Sequence, residues 1–147
     1  MAQEFDSSLP GVRRGWRRLT VSPGPAGTVL CLIGAILLLL SAGIHLHLWS
    51  TGYRHIPTIG PLFMLQGVVG IGLALAVAVT RRAWAALAGA AFAASTVAGL
   101  LISVEVGLFG FRDSFSAPYA TWSLLAESAA VVVLAVAGLV TTGRPAR

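Results

Sequence analysis

Residues 26–49 read AGTVLCLIGAILLLLSAGIHLHLW, a run without a single Asp, Glu, Lys or Arg. Coiled as an α-helix at 1.5 Å per residue, it reaches across the ~30 Å hydrocarbon core of a bilayer. A helix inside a soluble domain seldom needs that length of unbroken apolar sequence, so this stretch reads as membrane-spanning. Three further apolar runs follow, at 62–79, 83–104 and 119–140. The chain is 56% hydrophobic and 10% charged. Soluble domains average about 25% charged residues, so this chain lacks the material for a fully solvated surface. The expected fold is all-α, an integral-membrane four-helix up-down bundle over 25–141. A basic cytoplasmic leader (1–24) precedes it and a cytoplasmic tail (142–147) follows.

The leader carries Arg13, Arg14, Arg17 and Arg18 ahead of the first run, as the n-region of a signal peptide would. The run is longer than a signal-peptide core and no small-x-small site closes it, so an uncleaved anchor is expected. Trp16 and Trp49 are placed as anchors at the two membrane interfaces. The formal net charge of +5 comes entirely from arginine, most of it beside the apolar runs. That placement points to membrane orientation and away from nucleic acid. Arg13, Arg14, Arg17, Arg18, Arg81, Arg82, Arg144 and Arg147 fall on one side, Arg54 and Arg112 on the other. The positive-inside rule then puts both termini in the cytoplasm and the loops 50–61 and 105–118 outside. The single Cys31 excludes an intrachain disulfide.

Helix packing is foreshadowed by small residues. Ala86, Ala90, Ala94 and Ala98 repeat at i+4, as do Ala91, Ser95, Gly99 and Ser103. Such rows allow close approach of helices in a bilayer, and both are expected against neighbouring helices. The hinge at Arg81-Arg82 makes the second and third helices an antiparallel pair.

Polar side chains within the spans gather in one half. His45 lies about 6 Å below the outer end of the first helix, and Gln66 at a similar depth on the second. Glu105 closes the third helix. Glu127 lies roughly 12 Å down the fourth, too deep for its short side chain to reach water. Glu105 has the alternative of reaching into the headgroups. His47 stands 200° around the helix from His45, so only one of them faces the interior. His45 shares its face with Gly34, Leu38 and Ser41 and is the inward candidate. Arg54 is expected at the mouth of the pocket, whereas Asp113 reads as part of a solvated turn. The candidate ligand site is therefore His45, Gln66, Glu127, Arg54 and Glu105. His45, Glu105 and Glu127 are the candidate ligands of a divalent metal, although their spacing matches no diagnostic metal motif. A phosphate loop, a paired-cysteine motif and a nucleophile elbow are all absent from the sequence. A bis-histidine haem is disfavoured, because the only intramembrane histidines share one helix.

The run Ala42-Gly43-Ile44-His45, with Gly52-Tyr53 and Gly60-Pro61-Leu62-Phe63, resembles the DoxX-like group of small four-helix bacterial membrane proteins. The stretch from His47 to Pro57 is similar to one found in actinobacterial integral membrane proteins. The likeness covers the first two helices by sequence and the others by layout. It implies a bacterial cell-membrane subunit tied to quinone or thiol redox chemistry and acting with other proteins, and it supplies no catalytic residues. The reading that results is a non-catalytic partner in a redox or envelope-stress assembly, holding a polar ligand, quinone or metal in the outer half of the bundle. The alternatives are a proton-coupled transport element or channel working as a homo-oligomer, and a purely structural membrane protein. Against transport, the chain is short and shows no inverted repeat.

Overall fold

The computed structural model describes residues 23–142. The leader with its four arginines and Trp16 lies outside the described residues, apart from Pro23 and Gly24, as do Arg144 and Arg147. The described residues form four α-helices: α1 (Pro25–Thr51), α2 (Ile59–Thr80), α3 (Ala83–Glu105) and α4 (Ala120–Thr142). All four are long and apolar enough to cross a membrane, and the chain is a multi-pass membrane protein. Among the described residues there is no strand, only one isolated bridge between Leu108 and Phe111.

Helix ends follow local chemistry. Pro25 opens α1, where its missing N–H costs nothing. α2 begins at Ile59, three residues before the apolar run, because Pro61 fits within a first turn for the same reason. Arg81 ends α2 in the left-handed region (φ 50°). Arg82 is extended, and α3 starts at once. This two-residue hinge lies at the end of the bundle where α1 begins and α4 finishes. The opposite end carries the connections 52–58 and 106–119 and is called here the loop end.

The core is built from small residues. Ala35, Ala74, Ala86, Ala93, Ala130 and Ala137 surround the buried Leu38, Val77 and Leu134. The large apolar side chains point the other way: Ile36 is 65% exposed, Val79 72% and Leu139 66%. Helices apolar on every side show no amphipathic stripe. Lipid takes the bulky face, and packing takes the small one.

α1 and α4 pack antiparallel with a repeat of seven residues. Gly27, Gly34 and Ser41 on α1 meet Thr141, Leu134 and Glu127 on α4 in turn. A Cβ at Gly34 would overlap the Leu134 side chain, so this pair sets how closely the helices approach. α1 also packs along α2, where Leu46 lies on Gly67. α3 packs chiefly on α4, with Leu87 against Gly138. The hinge makes α2 and α3 neighbours, yet they touch least of any consecutive pair. Near the hinge Gly89 sits close to Val77, and towards the loop end the two helices part.

The buried face of α3 follows a mixed three- and four-residue step: Ala86, Gly89, Ala90, Ala93 and Thr96. Ala86 and Ala90 from the first i+4 row are therefore buried, whereas Ala94 and Ala98 are exposed. Of the second row only Ser103 is buried. A strict i+4 row drifts by about 40° per step on a helix of 3.6 residues per turn, and both rows leave the seam for that reason.

Candidate functional site

The parting of α2 and α3 leaves a cavity of about 440 Å³ in the loop-end half of the bundle. Glu127 forms its deep end. The side chain is 2% exposed and sits where the seven-residue seam would otherwise carry another apolar residue. Its Oε1 accepts hydrogen bonds from Ser41 Oγ (2.8 Å) on α1 and Ser123 Oγ (3.0 Å) one turn back on α4. His45 Nε2 lies 3.8 Å from the same oxygen. The His45 ring is oriented by its other nitrogen, since Nδ1–H donates to the Ser41 carbonyl oxygen at 2.9 Å. That donation leaves Nε2 free to face the carboxylate. Four polar groups thus share one buried cluster, held by the α1–α4 seam.

The walls are mainly apolar. Gln66 on α2 lines the cavity half-buried, and its amide has no side-chain hydrogen-bond partner among the described residues. Phe63 packs on the His45 ring with centroids 5.1 Å apart. Tyr53 stacks on Phe63 at 4.6 Å and meets Phe111 edge-on at 5.7 Å. These three rings close the loop end of the cavity. Gly60 makes this possible, because the backbone carbonyls of Tyr53 and Arg54 would lie 2.7 Å from a Cβ there. Burial pushes the Tyr53 phenol above its ordinary pKa, and the Asp113 carboxylate adds to the shift.

His45, Gln66 and Glu127 therefore line one cavity. Arg54 and Glu105 do not join them. Arg54 is exposed on a short 3-10 turn and donates from Nε to His55 Nε2 at 2.9 Å. Glu105 is exposed, two residues beyond the buried Ser103 and hence on the far side of α3. Only its backbone oxygen is engaged, accepting from Arg112 at 2.6 Å. Arg112 also donates to the Val104 carbonyl and so caps the end of α3. His47 is exposed, with its ring edge-on to Tyr119. Without Glu105 the metal set is not assembled: no group of three His, Cys, Asp or Glu fit to hold a metal exists among the described residues.

Two features were not drawn from the sequence. Asp113 is half-buried and lines the mouth, held by its N–H donating to Ser103 Oγ at 3.2 Å. The ring trio depends on loop contacts that no local spacing encodes. The serine donors did have a signal, since each stands four residues before a buried polar residue on its own helix. No protein-family model, curated protein or solved structure matches this chain.

Proposed function

We propose that this protein is a non-catalytic ligand-binding partner in a bacterial cell membrane, acting with other membrane proteins or as a homo-oligomer. Its termini are cytoplasmic and the loop end faces outward. The resemblance of its first two helices to DoxX-like proteins supports a setting beside redox or envelope-stress assemblies. The observation that carries the ligand-binding reading is Glu127, buried at the base of an apolar, ring-lined cavity of about 440 Å³. Cavities of several hundred Å³ with apolar walls and a few convergent polar groups are the usual form of a small-molecule site. An intramembrane carboxyl is costly and is retained where it serves function. The expected ligand is a ring-bearing amphiphile that dissolves in the bilayer, a quinone headgroup being the neutral example.

The test uses the full chain in nanodiscs, with menadione and naphthyl-ethanol as probes and empty nanodiscs as the baseline. At least one probe should bind saturably, at one per chain. Gly99 lines the cavity with open space around its Cβ position, so Gly99→Phe should fill the cavity and remove that binding. Uptake by the protein no greater than by empty nanodiscs would sink the reading.

A further inference from the structure

We infer that the cavity selects a lipophilic ammonium cation over a neutral ring of the same size. This rests on the ligand-binding reading above and adds the charge and hydrogen-bonding character of the ligand.

The deep end offers acceptors and little else. Both serine hydroxyls are spent, since Ser41 and Ser123 each donate to Glu127 Oε1. The second carboxylate oxygen, Oε2, has no hydrogen bond to the protein among the described residues. His45 has its Nδ1–H on the Ser41 carbonyl, and its Nε2 is turned towards Glu127 Oε1, 3.8 Å away. The open Oε2 at the base of the cavity calls for a donor. A quinone carries acceptors only and finds the Gln66 amide as its one free donor near this end. An ammonium group brings N–H donors and charge together, and its hydrogen bond to a carboxylate is of the charge-assisted kind.

The charges around the cavity agree. From α1 comes His45, from the 52–58 connection Tyr53, from the 106–119 connection Asp113, and from α4 Glu127; α2 and α3 contribute no ionisable side chain. None of the four described arginines lines it. A carboxylate buried this deeply is costly unless a cation or a proton compensates it. The rings supply the rest of the complementarity. Phe63, Phe92, Phe111 and Tyr53 line the cavity, and aromatic faces attract a desolvated cation.

The experiment compares a naphthyl-ethylammonium ion with naphthyl-ethanol, its neutral analogue, on the full chain in zwitterionic nanodiscs, with menadione as the quinone. The cation should bind about tenfold or more tightly than the alcohol, the scale of one buried charge-assisted contact. Glu127→Gln should shrink that preference to about threefold or less. Asp113→Asn, at the mouth, should lower it by a smaller factor and serves as the second variant where Glu127→Gln fails to fold. Alcohol or menadione binding as tightly as the cation overturns this inference and leaves the cavity reading standing. A preference that survives unchanged in folded Glu127→Gln also overturns it. Absence of saturable binding by all three probes overturns both.

Discussion

Glu127 can be found from sequence because depth and side-chain length decide its case: a carboxyl eight residues into an apolar helix cannot reach water. His45 and His47 are separated by helical phase alone. His45 follows the seven-step row through Cys31 and Leu38, and the row is buried throughout. Arg54 and Glu105 are another matter. Their positions depend on how a turn folds and on where α3 ends its rotation, and sequence depth carries neither. The serine pair gives a quantitative expectation at this scale. Ser41→Ala and Ser123→Ala each remove one donor from the same carboxylate oxygen. Hydrogen bonds between membrane helices are worth about 0.6 kcal/mol on average and up to about 1.7. Ser41→Ala, whose bond joins α1 to α4, should cost that much in thermal unfolding, and Ser123→Ala, whose bond stays within α4, no more; the double variant should depart from additivity, because the two hydroxyls share one acceptor. Additive effects would mean that the hydroxyls act independently of Glu127.

The helices were legible in number and nearly in extent, since unbroken apolar length is a strong signal. What the rows of small residues on α3 did not convey is which members stay in the seam. Ala90 is 7% exposed and lies in the core, whereas Ala94 is exposed. Ala90→Leu should therefore overpack the bundle and cost about 1–3 kcal/mol. Ala94→Leu should change stability by less than about 0.5 kcal/mol, as surface changes do. Thermal unfolding of the two variants in one detergent checks the pair. Equal destabilisation would place Ala94 in a protein contact that the monomer does not contain, such as an interface between copies.

Across the whole molecule, the arginine distribution yields an expected orientation that labelling can test. Cysteines introduced at Thr51 and Ser114, both exposed at the loop end, should react with a membrane-impermeant thiol reagent in intact cells. One at Arg82, exposed in the hinge, should react only after lysis. The natural Cys31 is buried and should give little background. The reverse pattern would invert the topology and turn the cavity towards the cytoplasm. The polar residues point to a pocket in this half of the bundle, but not to its origin in two helices that are neighbours in the chain and part in space.

That parting has a consequence for how occupancy is counted. Leu65 and Val69 line the cavity and are also exposed on the side of the bundle. The chamber wall thus shares residues with the surface that acyl chains wet, and under the proposed ligand-binding role the bilayer itself would be the solvent from which a ligand arrives. Its chemical potential is set by mole fraction in lipid and by the partition coefficient, so aqueous dilution alone says little about saturation. Raising the lipid-to-protein ratio at fixed total ligand should empty the site. A detergent tail is a competitor there, present at enormous excess.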